Sequence, residues 1–214
     1  MTTHARTGSD GKGNTRRDTD GTANLLRCDH PPIARNSLRR GGRQRGPVLY
    51  DGTNVAIRQV QPKDAALLAG GFARLSPESR HSRFLAIKAE LNPAELDYLT
   101  EVDHHDHEAL GALSRLDGRG LGIARYIRDP ERPEVAEIAI TIVDDWQGRG
   151  LGTELLRRLA DRAYEEGITH FTALVASDNL AVVRLLKRIG VDVRPTSFEP
   201  GAVEYDITLA PRGR

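Results

Sequence analysis

The chain has 214 residues, 38% of them hydrophobic and only 5% aromatic, with a formal net charge of +1; that is enough for one well-buried domain plus extensions and too little for two average domains. Its one cysteine, Cys28, excludes a disulfide framework and a cysteine-based zinc site within the chain. No apolar run reaches the length of a membrane span or a signal core, so a cytoplasmic protein with no membrane contact is expected.

The near-neutral total hides an asymmetry. Residues 1–50 carry ten basic against four acidic side chains, and the remainder 21 against 26. This first stretch is Gly, Thr, Asp, Asn and Arg without periodicity, closing on "RRGGRQRG", and is expected to be a disordered basic arm. It lacks interleaved aromatics, so a solvated leader is favoured over a nucleic-acid contact.

A folded domain over 53–210 is expected to begin at the β-branched run Asn54–Val60. Pro62 then opens a helix whose apolar positions Leu67, Leu68, Phe72 and Leu75 keep helical spacing. Ser76 followed by Pro77 has the composition of a further helix start, and another helix runs from Asn92 or Pro93 through "AELDYLTEV". From about Glu108 the texture becomes strand-like: "ALGALSRL", "GIARYIR" and "VAEIAITIV". Leu151, Leu155, Leu159 and Ala163 mark a long amphipathic helix with Gly167 as its stop. "HFTALVA" reads as a strand, "NLAVVRLLKRIG" as a helix ending at Gly190, and two strands surround Glu199–Gly201. The order is β, helices, β-β-β, α, β, α, β-β, a mixed α/β (α+β) domain.

The pentapeptide "GRGLG" occurs twice. At Gly118–Gly122 it follows Asp117 between two strand-like runs, the composition of a hairpin connection, with no helix start to hold an anion. At Gly148–Gly152 it lies between a strong β-former and the best helix of the chain. The free N–H groups and positive dipole end of a helix start attract anions there, and glycines let phosphate oxygens approach the backbone. Neither the Walker pattern nor the dinucleotide fingerprint is met.

With Gln147 included, the second stretch reads Gln147-x-x-Gly150-x-Gly152. It resembles the pyrophosphate loop of the GNAT N-acetyltransferase superfamily, Gln/Arg-x-x-Gly-x-Gly/Ala between a strand and a helix. The resemblance runs from about Asn54 to Leu209. "LSPESRHSRFL", "LTEVDHHDHEAL" and "VAEIAITIVDDWQGRGLGTELL" look like the GNAT domain of bacterial protein-lysine acetyltransferases. It implies a mostly antiparallel central sheet flanked by helices, acetyl-CoA as cosubstrate, and a protein lysine or small amine as acceptor; a homodimer is compatible with it.

The resemblance also assigns roles. Strand alternation puts Ala136, Ile138, Ile140 and Ile142 on one face and Glu137, Ala139 and Thr141 on the other. In the family a glutamate on this strand relays the amine proton, which makes Glu137 the candidate base; the bland alternative is a solvated glutamate. Backbone groups of Ile142 and Val143 would meet the acetyl carbonyl and pantetheine amides. Main-chain donors of Gly148, Arg149, Gly150, Leu151, Gly152 and Thr153, after Gln147, would hold the pyrophosphate. Asn179 matches the asparagine that touches the pantetheine arm, and equally suits a helix cap, as does Asp178. Leu186 stands where many relatives place a tyrosine acid, so no general acid is assigned. "DHHDHE" (Asp103–Glu108) admits a metal reading in which Asp103, His105 and His107 project together; a polar loop feeding a strand is favoured, and no metal is expected. The expected activity is acetylation of protein lysines by direct transfer in a ternary complex. The alternatives are acetylation of a small amine or antibiotic, and a degenerate acyl-CoA sensor.

Overall fold

A computed structural model describes residues 49, 52–85 and 88–210, all within one compact unit spanning Gln44–Arg214. The expectation for the arm lies outside the described residues, save for Leu49. That side chain is buried in the core and its N–H donates to the Thr53 carbonyl at 2.9 Å.

Strand β1 is Val55–Gln59; a 3₁₀ turn at Pro62–Asp64 leads into α1 (Ala65–Ala73). Then come α2 (Pro77–Phe84), α3 (Pro93–Thr100), β2 (His107–Ser114), β3 (Gly120–Arg128) and β4 (Val135–Ile142). A second 3₁₀ turn at Asp144–Trp146 precedes α4 (Leu151–Glu165), β5 (His170–Ala176), α5 (Leu180–Ile189), β6 (Gly190–Glu199) and β7 (Ala202–Leu209). The element order expected from the sequence is the one observed, with two shifts. Pro62 opens a 3₁₀ turn rather than α1 itself, and Gly190 starts β6 immediately after α5.

The helix starts follow the capping chemistry. The Ser76 hydroxyl accepts from the Ser79 N–H at 3.1 Å, and Asn92 and Glu95 form a reciprocal capping box.

All seven strands form one sheet in the order β1-β2-β3-β4-β5-β7-β6. Every neighbouring pair is antiparallel except β4 and β5, which run parallel. One face of the sheet packs Ala112, Ala124, Tyr126 and Ile138 against the buried stripe Leu151, Leu155, Leu159 and Ala163 of α4. The opposite face carries Gly111, Ile123, Arg125, Ala139 and Thr141 toward Leu67, Leu68 and Phe72 of α1. Removing so much apolar surface from water is the main stabilising term of such a core.

The first GRGLG is the hairpin between β2 and β3. Ser114 N–H bonds the Arg119 carbonyl at 2.9 Å, and Gly118 takes φ +71°. The run nevertheless does more than join strands: Gly120 and Gly122 border the cavity described below. A Cβ on Gly122 would lie 2.5 Å from Ile142 Cδ1 and 2.9 Å from the Thr141 carbonyl oxygen. The far end of the isoleucine side chain could give way, but the backbone oxygen could not. Gly122→Ala is therefore expected to destabilise the fold by about 1–3 kcal/mol through overpacking, read as a lowered denaturation midpoint with an unchanged slope; an unchanged midpoint would contradict that packing.

Candidate active site

The site is created by a splay in the sheet. β5 pairs with β4 only at Val135–His170, Ala136–Phe171 and Glu137–Thr172, and pairs with β7 along its whole length. Beyond Glu137 the strands diverge and open a cleft, and among the described residues β4 has no strand partner on that side. The Val143 N–H donates to the Leu121 carbonyl, toward β3. Backbone groups alternate sides along a strand, so those of Ile140 and Ile142 point into the cleft. Val143 does not offer backbone groups there, because its carbonyl also accepts from Trp146 N–H at 2.9 Å.

At the end of the cleft the chain makes the loop before α4. Gly148 and Gly150 have φ of +73° and +92°, a region in which side chains other than glycine are strained. No side chain caps α4, and its first i→i−4 bond is from the Glu154 N–H to the Gly150 carbonyl at 3.1 Å. The N–H groups of Leu151, Gly152 and Thr153 thus precede the helical ladder at the positive end of the helix dipole. Leu151 is itself buried, so only its backbone is available. Gly152 lets α4 sit close to its neighbours: a Cβ there would stand 3.2 Å from Leu185 Cδ2 and 3.6 Å from Ile140 Cδ1. The Arg149 guanidinium lies over the Trp146 ring, 4.8 Å from its centroid.

Gln147 shapes this loop from within. Its Nε2 lies 3.1 Å from the Ile142 carbonyl, 3.2 Å from Ser79 Oγ and 3.3 Å from Asp144 Oδ1. Asp144 also accepts from Ser76 N–H at 2.7 Å and Ser79 Oγ at 2.5 Å. The end of β4, the loop and the start of α2 are tied together by these bonds. Sequence reading missed Ser76, Ser79 and Asp144 here; the signal was present only as an ordinary helix cap.

Glu137 sits where the strands part, on the face shared with Ala139 and Thr141, and is exposed. Although the residue is exposed to solvent, enough protein surrounds its carboxylate to shift its titration. Burial chiefly raises its pKa above the ordinary carboxylate value, Glu204 adds to the rise, and Arg83 and Arg125 oppose it. Farther along the same face of β4, at Ala139 and Thr141, opens a cavity of about 90 Å³, bordered by α1, α2, α3 and the faces of β2, β3 and β4, with Arg83 and Arg125 in its wall.

Asn179 is the N-cap of α5: its Oδ1 accepts from the Val182 N–H at 3.2 Å. The cap uses only the oxygen and leaves the amide NH₂ for another partner. Asp178 contributes only its backbone carbonyl, to the Leu180 N–H. Leu186 is buried on the inner face of α5, so it presents no acid to the cleft.

The histidine cluster comes apart in three directions. Asp103 Oδ1 accepts from the backbone N–H groups of His105 and His107, both at 2.9 Å. His104 Nδ1 meets buried Glu108 at 2.8 Å, and His105 Nδ1 meets Glu166 at 2.5 Å. His107 Nε2 accepts from Arg125 on the cavity face. Among the described residues no group of three or more such side chains could hold a metal ion.

His107 is neutral at physiological pH, its pKa pushed down to about 3 by burial first and by Arg125 second. The unfolded chain takes up the proton near pH 6.5 while the folded chain resists it. Stability from this group is therefore complete above about pH 6.5 and declines toward pH 3, by at most about 1.4 kcal/mol per pH unit. His107→Gln should flatten the fall in unfolding free energy between pH 6.5 and 4.5, measured by chemical denaturation. An equally steep fall in the variant would show that other groups carry it.

Comparison with known proteins bears on this geometry. Residues 75–191 match the Acetyltransferase (GNAT) family. An acetyltransferase of Pseudomonas aeruginosa is 38% identical over 144 residues, which are 66% of this chain and 77% of that protein. Acetyltransferase Pat of Mycolicibacterium smegmatis is 34% identical over 165 residues, 69% of this chain and 49% of that protein; the chain spans about half of Pat's length. The crystal structure of the GNAT domain of S. lividans PAT superposes with a TM-score of 0.71 at 29% identity, covering 76% of this chain and 95% of that one.

Proposed function

The chain belongs to the GNAT acetyltransferase family and is an N-acetyltransferase; from that premise we propose that it acetylates lysine side chains of proteins by direct transfer from acetyl-CoA. The observation that carries the reading is the cleft, in which an open strand edge, a helix start rich in free N–H groups and a carboxylate converge. These residues fit acetyl-CoA, which when bound supplies an acetyl group activated as a thioester. The N–H groups from Gly148 to Thr153 suit its diphosphate. The Ile140 backbone groups and the Ile142 N–H suit its amide-bearing arm as an added strand, and the amide of Asn179 is free to donate to that arm.

Glu137 takes the proton of the attacking amine. A lysine amine has a pKa near 10.4 in water and is protonated at neutral pH, so it must lose a proton before it can attack. A carboxylate with a raised pKa is a better acceptor for that proton than an ordinary one. Backbone N–H groups of β4 are fixed donors for the negative charge that develops on the acyl oxygen. Thiols are only moderately basic, with a pKa near 8.5, so departure is compatible with a leucine at 186. Cys28 lies outside the described residues, and among the described residues there is no cysteine to carry an acyl group, which suits one-step transfer rather than an acyl-enzyme.

The protein acceptor rests on the resemblance of the sequence motifs to the GNAT domain of bacterial protein-lysine acetyltransferases. In the same reading residues 53–210 are the catalytic domain and residues 1–50 an accessory basic arm of a cytoplasmic protein. Among the described residues no helix is long and apolar enough to cross a membrane. Acetyl-lysine mapping in cells with and without the gene tests the acceptor. Specific lysines that lose acetylation when the gene is deleted, and regain it with the wild type but not with Glu137→Gln, are expected. An unchanged lysine pattern together with turnover of small amines would move the reading to a small-molecule acetyltransferase.

A further inference from the structure

The cavity that begins at Ala139, the next residue along this face of β4 from Glu137, has apolar walls, among them Leu67, Leu68, Phe72 and Leu99, yet three arginines line it. Arg58 is already matched: it forms a two-pronged pair with Asp64 at 2.6 and 2.7 Å. Arg83 and Arg125 have no such partner. Neither makes an ion pair with a carboxylate among the described residues, and Glu137 is the acid whose charge they feel. Two cations therefore face one anion.

Arg125 is the more revealing of the two. It is 4% exposed, and its Nε is a buried donor with no hydrogen-bond acceptor. Its guanidinium is held in place by the Tyr98 ring at 5.0 Å and by donation to His107. That histidine is neutral, so it offers an acceptor atom without adding a negative charge. Placing a cation out of water without a matching anion is unfavourable, and an arginine does not escape by losing its proton near neutral pH. A second guanidinium, Arg83, enters from α2 and is half-buried. Such a preorganised pair of forks matches the two oxygens of a carboxylate.

We propose that Arg83 and Arg125 form a carboxylate-binding subsite for the acceptor, so that the preferred substrate carries a carboxylate close to the amine it presents to Glu137. The inference rests on the acetyltransferase reading of the cleft and deepens it by naming the chemistry of the acceptor. The carboxylate has two sources: the side chain of an Asp or Glu beside the modified lysine of a protein, or the α-carboxylate of a free amino acid.

The test uses the full chain, acetyl-CoA and two matched pairs of acceptors. One pair is a lysine peptide flanked by Glu and the same peptide flanked by Gln. The other is Nα-acetyl-lysine and its carboxamide. The wild type is expected to favour the carboxylate member of at least one pair by 10-fold or more in kcat/KM, and the pair that responds identifies the source. Arg83→Gln and Arg125→Lys should reduce the ratio below 3-fold; because both arginines also act on the charge of Glu137, the readout is the ratio within each pair, in which any change at Glu137 is common to both members. Ratios below 2-fold in both pairs for the wild type, or ratios untouched by both substitutions, overturn the subsite. Thiol release from none of the four acceptors overturns the acetyltransferase reading instead. In that case the subsite is judged by binding alone, titrating glutarate against glutaramide and following the arginine Nε–H resonances. A saturable shift with glutarate only, lost in Arg83→Gln, supports it, and no shift overturns it.

Discussion

Glu137→Gln is expected to lower kcat/KM for the amine acceptor by about 100-fold at pH 7, within the usual range for removing a positioned base. The substitution keeps the size of the side chain at an exposed position, so folding and the KM for acetyl-CoA should change little. The pH profile separates a base from a merely structural glutamate. Burial lifts the Glu137 pKa above the ordinary carboxylate value, and only the ionised form accepts a proton. Wild-type kcat/KM should therefore fall as pH drops through that raised pKa, at a higher pH than a solvated glutamate would give. The Gln variant should lack this limb and gain rate steadily as pH climbs toward the amine pKa near 10.4, narrowing the gap. A kcat/KM within threefold of the wild type at pH 7 removes Glu137 from the mechanism.

Gly150→Asp is expected to raise the Kd for acetyl-CoA by about 100-fold and leave kcat at saturation nearly unchanged. Gly150 is the N-cap of α4 at φ +92°, and Asp tolerates left-handed backbone better than most residues. The positive φ still strains Asp, so a modestly lowered denaturation midpoint with the fold retained is expected. Its carboxylate would stand at the free N–H groups of the first turn, where a diphosphate is expected. Two like charges about 6 Å apart in an effective dielectric of about 20 repel by about 3 kcal/mol, which corresponds to roughly 100-fold in binding. Calorimetry with acetyl-CoA reads the Kd, and a denaturation curve confirms the fold. An unchanged Kd in a folded variant would place the diphosphate elsewhere.

The parts of the site that lie within one element were legible from the residues. Alternation along β4 separates Ile138 from Glu137 in sequence and in space. Glycines after a β-forming run mark the start of α4 because positive φ and a helix start leave a local signature. What depends on contacts between distant segments was not legible. Nothing in β4 or β5 announces that they part after Glu137 and Thr172; that follows from β5 pairing with β7 along its length. Arg83 and Arg125 lie on different elements, and only the packing of α2 over the sheet brings both to one cavity. The histidines between Asp103 and Glu108 look like a cluster in sequence. Asp103 accepts two backbone N–H bonds and His104 adopts φ +61°, and the resulting turn sends the three rings apart. Val143 was expected to serve the cosubstrate, but the strand alternation that favours Ile142 turns Val143 toward β3.

The central claim is acceptor-dependent transfer of an acetyl group in this cleft. Initial rates of thiol release from acetyl-CoA, measured across a grid of acetyl-CoA and lysine-acceptor concentrations, test it most directly. Release that requires the acceptor, gives intersecting double-reciprocal lines and drops about 100-fold in Glu137→Gln is predicted. Tight acetyl-CoA binding with no acceptor-dependent thiol release would contradict the account and identify a sensor in place of an enzyme.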